Sequence, residues 1–283
     1  MVDAVPFDYA SRQAPLIVVE GRLGEQSTKG RIVVDTGATA PFPIFLSVSR
    51  AQGLHLPLSG DITPDSSTAI GGGAQTYREG ELSAFSIGPI KLEHAKVAVL
   101  PMIDAMTQQV GPPVDAIVGY QFLRGHRFSI DYSARQIDFA APAGRDADAL
   151  SFSLGQRKPL ILVETTVNGA GPFIFEIDTG ATVTTLSPDV AERTGVAITG
   201  EGTLGGAGGT VAIRRGDARV ALGPVGYSLR NVSISDHLSA ISSAAGSKVD
   251  GILGLDFLYR TKLTIDYPAS KVWIVETSPP GTP

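Results

Sequence analysis

The chain repeats itself, and this duplication constrains its fold more than any other feature of the sequence. Residues 114–139 align with residues 249–274 without a gap, and both segments contain Ile-Asp-Tyr at the same place. The string Asp-Thr-Gly-Ala-Thr also occurs twice, beginning at Asp35 and at Asp178. The repeated unit spans roughly 125 residues, which is far longer than a solenoid repeat. The sequence therefore predicts two similar lobes that face each other.

Composition narrows the fold and the chemistry. The chain has 283 residues, of which 43% are hydrophobic and 18% charged, so a sizeable core is expected. The 33 glycines and 19 prolines favour many short strands joined by tight turns. The absence of cysteine excludes disulfides, thiolate nucleophiles and Cys-metal sites. The net charge of −5, without a Lys/Arg block, argues against a nucleic-acid partner, and no apolar run is long enough for a membrane helix.

The order of the motifs predicts the domain organisation. We expect an N-terminal lobe at 1–142, an inter-lobe linker at 143–158, a C-terminal lobe at 159–277 and a frayed tail at 278–283. Each lobe contains one Asp-Thr-Gly loop after an apolar run, then a helical turn, then a glycine-rich hairpin. Short helices are predicted at 47–52, 187–194 and 102–110, the first two with a serine N-cap.

The two aspartates carry the chemistry that the sequence predicts. Asp35 and Asp178 each follow buried, β-rich residues, and a lone carboxylate in such a place costs several kcal/mol unless it is paired or hydrogen-bonded. If the lobes face each other with two-fold pseudo-symmetry, both carboxyl groups meet at the axis and share one proton. Such a pair offers an acid and a base at once, as water-mediated amide hydrolysis requires. A single Asp-Thr-Gly would indicate no more than a turn.

The residues around each aspartate are expected to support it. Gly37 and Gly180 permit close backbone approach. Thr36 and Thr179, which directly follow the aspartates, are expected to hydrogen-bond across the junction of the lobes. Thr39 and Thr182, at the end of each string, are expected to donate their hydroxyls to the outer carboxylate oxygens.

These motifs resemble those of the aspartic peptidases, and the retropepsin-like branch more closely than the pepsin branch. The resemblance is carried by residues 35–38 and 178–181, by the hydrophobic-hydrophobic-Gly elements at 116–119 and 251–254, and by glycine-rich flaps. The flap residues are Gly71, Gly72 and Gly73 in the first half and Gly205, Gly206, Gly208 and Gly209 in the second.

This resemblance implies the fold and the activity. The fold would be all-β, a bilobal acid-protease-like β-barrel fold whose homologous lobes are related by a pseudo-two-fold axis, with short helices. The activity would be endopeptidase cleavage of a peptide or protein substrate in the inter-lobe cleft, with no cofactor and no metal. Retropepsins usually reach this state by homodimerising, but the halves here are fused as in pepsins, so a monomer should suffice.

The chain departs from the family in ways that affect its chemistry. Ala38 and Ala181 stand where pepsins have Ser or Thr, which predicts a milder pH optimum than that of a stomach enzyme. Neither flap has a tyrosine at its tip, and Thr39 and Thr182 replace the charged residue that retroviral enzymes have. A flap tyrosine and the salt bridge of the retroviral enzymes are therefore not expected here.

The sequence also contains other repeated acids, and it leaves two alternatives to a monomeric endopeptidase. Asp131, Asp266, Asp115 and Asp250 are predicted to cap turns or lie on the surface. A peptide-binding or scaffolding protein of the same fold, and a homodimer or lobe-swapped dimer, remain open. The first residues lack the basic start and apolar run of a signal peptide, which fits a cytoplasmic protein or one whose signal has been removed. Because similar fused chains are often exported, we favour a bacterial periplasmic or secreted setting.

Overall fold

The structure is a computed structural model that describes residues 4–12, 14–63, 75–206 and 208–278, except for the side chains of residues 108–110. The predicted all-β fold with short helices is confirmed. No helix among the described residues is long and apolar enough to span a membrane. The predicted tail lies outside the described residues from 279 onward.

The first half of the chain is built from short strands and three short helices. Their bounds are β1 (Ala4–Tyr9), β2 (Ile17–Leu23), β3 (Thr28–Val34), β4 (Ile44–Ser47), α1 (Val48–Gly53), β5 (Arg78–Ile87), β6 (Ile90–Leu100), α2 (Pro101–Val110), β7 (Ala116–Val118), α3 (Tyr120–Leu123), β8 (Arg127–Asp131) and β9 (Gln136–Asp138).

The second half repeats this order after a 3₁₀ turn at Asp146–Asp148 and two very short strands. Its elements are β10 (Leu150–Ser151), β11 (Ser153–Leu154), β12 (Ile161–Val167), β13 (Ala170–Ile177), β14 (Thr185–Leu186), α4 (Pro188–Arg193), β15 (Ile198–Gly206), β16 (Gly209–Leu222), β17 (Val225–Ile234), α5 (Leu238–Ala245), β18 (Gly251–Leu253), α6 (Leu255–Leu258), β19 (Thr261–Asp266) and β20 (Lys271–Glu276).

Each half closes into a ring of six strands. In the first half the order is β2-β3-β7-β4-β6-β5, and the pairing of Arg22 with Ser86 returns β5 to β2. In the second half the order is β12-β13-β18-β14-β17-β16, and Thr166 opposite Ala221 closes the ring. The rings are built from equivalent strands in the same order, so the sequence duplication is a structural duplication.

A sheet made by both halves joins the two rings. Strand β8 pairs antiparallel with β19, and Ser129 faces Thr264, its own counterpart in the repeat. Across the same seam the Nη1 atom of Arg127 lies 3.2 Å from Oδ2 of Asp266. Strands β9 and β1 continue the sheet on one side, and β20 and β10 on the other. Residues 143–158, predicted as a linker, thus supply β10 to this sheet. They also supply β11, which pairs with β12 of the second ring.

The strands that lead into the Asp-Thr-Gly loops lie in the core. Strand β3 pairs with β2 on one edge and parallel with β7 on the other, and β13 is placed in the same way between β12 and β18. Ile32, Val34, Phe175 and Ile177 are fully buried. Strands covered on both faces are expected to be continuous apolar runs, which is the pattern that the sequence has here.

The predicted helices are confirmed, with small changes in their bounds. Ser47 Oγ accepts a hydrogen bond from Arg50 N at 3.1 Å, and Ser187 Oγ accepts one from Val190 N at 3.2 Å. These bonds satisfy backbone N–H groups that the first helical turn leaves free. Helix α2 begins at Pro101, one residue before the predicted start.

The prediction for the repeated acids is half right. Asp131 and Asp266 do cap turns, since they accept from Ala134 N at 2.9 Å and Ala269 N at 3.0 Å. Asp115 and Asp250 neither cap turns nor lie on the surface. Asp115 Oδ2 accepts from Arg31 N at 2.7 Å, and Asp250, only 4% exposed, accepts from Ile174 N at 3.0 Å.

Those two carboxylates clamp the strands that carry the loops. The backbone N–H of Asp115 donates to Arg31 O at 2.8 Å, so the residue binds β3 through both its backbone and its side chain. Arg50 Nη2 lies 2.7 Å from Oδ1 of Asp115, and Lys248 Nζ lies 2.8 Å from Oδ1 of Asp250. The short sequence before each apolar run resembles a turn, and the cross-strand partner is distant in the chain, which is why the prediction was wrong.

Candidate active site

Each Asp-Thr-Gly loop is pinned between its own strand and the hydrophobic-hydrophobic-Gly element. Asp35 N donates to Val118 O at 2.9 Å, and Tyr120 N donates to Ala38 O at 2.9 Å. In the second half Asp178 N donates to Leu253 O at 3.2 Å, and Leu255 N donates to Ala181 O at 2.8 Å. Both ends of each loop are therefore fixed by the backbone of the same neighbouring segment.

The loops are also fixed to each other, as predicted for the two threonines. Thr36 N donates to Thr179 Oγ1 at 3.0 Å, and Thr179 N donates to Thr36 Oγ1 at 3.0 Å. Thr36 Oγ1 donates to Ile177 O, and Thr179 Oγ1 donates to Val34 O, both at 2.8 Å. Both threonines are fully buried. These four reciprocal bonds join the halves directly behind the two aspartates.

The glycine of each loop lies against the aspartate of the other half. A Cβ atom at Gly37 would lie 2.8 Å from the carboxyl atoms of Asp178. A Cβ atom at Gly180 would lie 2.5–2.6 Å from those of Asp35. Real Cβ atoms are not found so close to another heavy atom, so glycine is required here for steric reasons. The two carboxyl groups therefore lie next to the opposite loop, and the predicted close backbone approach is present.

Backbone N–H groups bind both carboxylates. Asp35 Oδ1 accepts from Gly37 N at 2.8 Å and from Ala38 N at 3.1 Å. Asp178 Oδ1 accepts from Gly180 N at 2.7 Å. These bonds fix the orientation of each carboxyl group and stabilise its ionised form.

Burial raises the pKa of both aspartates. For Asp35 the charge of Asp178 and a hydrogen bond with it raise the pKa further, while the N–H groups of Gly37 and Ala38 lower it. For Asp178 the N–H group of Gly180 and the hydrogen bond with Asp35 lower the pKa. Two adjacent buried carboxyl groups do not both ionise readily, so we expect the pair to share one proton.

Other predicted site residues stand apart from this arrangement. Within the described residues, neither the Thr39 nor the Thr182 hydroxyl donates to an aspartate, so the prediction of those bonds is wrong; the backbone N–H groups occupy that role. The second glycine cluster forms the tip of a hairpin: Gly205 faces Thr210 and Gly206 faces Gly209 across β15 and β16, with Gly208 in the turn. Gly71, Gly72 and Gly73 lie outside the described residues.

Sequence reasoning missed Glu176. Its side chain lies on β13 two residues before Asp178 and is only 3% exposed. Burial raises its pKa well above the usual value, and the charges of Asp178 and Asp35 raise it further. One signal was available: the equivalent position in the first repeat is Val33, so an acid replaces an apolar residue within an apolar run.

Two buried tyrosines were also missed. Tyr132 and Tyr267 are the tyrosines of the repeated Ile-Asp-Tyr segments, and the structure shows no hydrogen-bond partner for either hydroxyl. Burial raises the pKa of each. The charge of Asp178 adds to this for Tyr132, and the charges of Asp35 and Glu176 add to it for Tyr267. The two halves thus place equivalent phenols near opposite aspartates.

Comparison with known protein families gives a match. A family model described as aspartyl protease matches residues 19–122 and 163–257, so that each matched segment contains one Asp-Thr-Gly loop. No curated protein sequence matches the chain in a direct comparison. The family match covers more than half of the chain and falls on both copies of the repeat.

Proposed function

The chain belongs to the aspartyl protease family, and from this premise we propose that it is an endopeptidase that hydrolyses peptide bonds with a water molecule held by Asp35 and Asp178. One observation carries the proposal: each carboxyl group lies against the glycine of the opposite loop, at 2.8 Å and 2.5–2.6 Å from a Cβ position there. Two loops in this arrangement bring an acid and a base to one point, which is the requirement of general acid–base hydrolysis.

A shared proton gives the two aspartates complementary roles. The ionised carboxyl group removes a proton from the water as the oxygen attacks the peptide carbonyl carbon. The protonated carboxyl group donates to the carbonyl oxygen, which gives a gem-diol. The gem-diol then collapses as a proton passes to the leaving nitrogen. The raised pKa of both buried aspartates supports this sharing of one proton.

The family resemblance supplies the rest of the proposal. The substrate lies in a cleft between the two lobes, which have the residue bounds that the sequence predicts. Glycine-rich hairpins close over the substrate and bind its backbone as an added β-strand. The hairpin of β15 and β16 is the second of these flaps, with its glycines at the tip. Because both loops are on one chain, a monomer forms a complete active site of the retropepsin-like type.

The test is cleavage of a peptide pool derived from a proteome, followed by mass spectrometry. Asp35→Asn and Asp178→Asn are each expected to abolish cleavage, and a pepstatin-type inhibitor is expected to block the unmodified protein. Asp236→Asn is the control, because this aspartate is exposed and belongs to neither loop. Retained cleavage in either of the first two variants would overturn the proposal. Peptide binding without cleavage by the unmodified protein would favour the scaffolding alternative.

Light scattering tests the oligomeric state separately. We expect the mass of one chain, 29.5 kDa, in the active fraction. Activity confined to a fraction of twice that mass would favour the dimeric alternative.

A further inference from the structure

The buried carboxyl group of Glu176 occupies a position at which the other half has an apolar side chain. Side chains alternate along a strand, so Glu176 lies on the same face of β13 as Asp178 and on the opposite face from Phe175 and Ile177. Its cross-strand neighbours are Leu162 on β12 and Ile252 on β18.

Glu176 differs from the buried Asp250 and Asp266 and from the half-buried Asp256, because no described residue pairs with it. Asp250 lies 2.8 Å from Lys248 Nζ, Asp266 lies 3.2 Å from Arg127 Nη1, and Asp256 accepts from Thr184 Oγ1 at 2.6 Å. No described residue donates a hydrogen bond to the Glu176 carboxyl group or forms an ion pair with it. An ionised carboxylate buried without a partner is costly, so the structure favours its neutral, protonated form.

The groups around Glu176 fall into two classes. The cluster that includes Leu162 and Ile252 is apolar, and α5 contributes only uncharged residues to it: Leu238, Ile241 and Ala245. The titratable groups in electrostatic range are Asp178, Asp35 and the phenol of Tyr267. With no cation or hydrogen-bond donor among the described residues to stabilise it, a charge on Glu176 interacts mainly with the aspartate pair.

We propose that Glu176 is a positioning residue that keeps the shared proton on the Asp35–Asp178 pair at higher pH than the pair alone would. The proposal deepens the proposed function and rests on it. When the pH rises, the three carboxyl groups compete for their protons. A proton lost from Glu176 leaves a negative charge beside the pair, and this charge makes removal of the last proton from the pair harder. The protonated, active form therefore persists to higher pH.

The size of the effect follows from the strand. Residues two apart on one strand have Cα atoms about 7 Å apart. At that separation, with an effective dielectric constant of about 20, the interaction of two charges corresponds to about one to two pKa units. Because the next proton to leave comes partly from the pair and partly from Glu176, only part of this shift falls on the pair. We expect about half of it, or roughly 0.5–1 pH unit, in the alkaline limb of activity.

The experiment is the pH dependence of kcat/KM for a fluorogenic peptide without ionisable side chains, chosen from the peptides that the unmodified protein cleaves. Glu176→Gln and Glu176→Val are expected to move the alkaline limb to lower pH by about 0.5–1 unit, so that kcat/KM on that limb falls by about three- to tenfold. Valine is the residue of the equivalent position in the first half. Glu164→Gln is the matched control, because this glutamate is exposed on the neighbouring strand β12.

An unchanged alkaline limb in Glu176→Gln would overturn the proposal. A shift in Glu176→Val alone would then indicate packing, and a lost preference for peptides containing lysine or arginine would make Glu176 a substrate contact.

A second measurement does not depend on cleavage. A carboxyl group that stays protonated in the folded state and ionises in the unfolded state makes the protein less stable as the pH rises. Above about pH 4.3, where a free glutamate ionises, the unfolding equilibrium constant of the unmodified protein should therefore rise by up to about tenfold more per pH unit than that of Glu176→Gln. Equal slopes would overturn the proposal. Absence of cleavage by the unmodified protein would instead end the proposed function, while these slopes still report whether Glu176 is held neutral.

Discussion

Removing one hydroxyl group at the junction of the halves should destabilise the whole molecule. Thr36→Val exchanges a hydroxyl for a methyl group of similar volume at a fully buried position. The hydroxyl donates to Ile177 O at 2.8 Å and accepts from Thr179 N at 3.0 Å. Valine leaves both backbone groups buried and without their partner. Each such group costs about 1–3 kcal/mol, so we expect a loss of about 2–6 kcal/mol in the free energy of unfolding.

Urea unfolding measured by circular dichroism checks this value. Thr36→Ser is the control, since it keeps the hydroxyl and removes a methyl group, which costs about 1 kcal/mol. The change in Thr36→Val should be at least twice that of Thr36→Ser. Thr179→Val should cost as much, because its two bonds repeat those of Thr36 with the halves exchanged.

The double variant tests whether the four bonds act as one unit. Neighbouring residues in one hydrogen-bond network couple by about 0.5–3 kcal/mol, so the cost of Thr36→Val with Thr179→Val should differ by that amount from the sum of the two single changes. A loss below about 0.5 kcal/mol in Thr36→Val, or one no larger than in Thr36→Ser, would refute the reasoning that these bonds hold the halves together.

Three further predictions concern the same loops. Gly180→Ala should lower kcat/KM by about a hundredfold or more, because the new Cβ displaces the Asp35 carboxyl group, whereas Gly53→Ala, with open space around its Cβ position, should leave it unchanged. Asp35→Asn should reduce the loss of stability with rising pH, because the raised pKa of Asp35 keeps a proton in the folded state that the unfolded state releases above about pH 3.9; urea titrations from pH 4 to 8 with an unaltered slope would contradict this. Thr184→Val should cost about 1.5–3 kcal/mol at pH 7 and less near pH 4, because the lost hydroxyl leaves the buried Asp256 carboxylate one hydrogen bond short; an equal cost at both pH values would count against it.

The sequence was most informative where a local rule and the duplication agreed. The serine caps of α1 and α4 follow from Ser47 and Ser187, and the same chemistry occurs twice at equivalent places. The cross-bonding of Thr36 and Thr179 was predictable because two identical loops that meet at an axis can exchange only identical contacts. Repetition turned weak local signals into a specific prediction of the site.

The sequence was least informative where a residue is held by a partner far along the chain. Asp115 looks like a turn residue in its local context, yet it binds the backbone of Arg31, 84 positions away. The seam sheet also depends on a long-range pairing, that of β8 with β19, and its register follows from the two-fold relation, not from the residues themselves. Glu176 shows the same limit in part, because its surroundings include the charge of Asp35 from the other half as well as that of Asp178.

Duplication alone would give two equivalent aspartates, and the chemistry requires two different ones. The backbone treats the two alike: Gly37 N and Ala38 N donate to Asp35 Oδ1, and Gly180 N donates to Asp178 Oδ1. Such N–H bonds favour the ionised form of whichever carboxyl group accepts them, so they position both aspartates without selecting the one that keeps the proton. One buried acid does distinguish the halves: Glu176 stands two residues before Asp178, whereas the equivalent residue before Asp35 is Val33. The halves therefore share the bonds that position the two carboxyl groups and differ in a side chain beside them, so two copies of one loop have different surroundings.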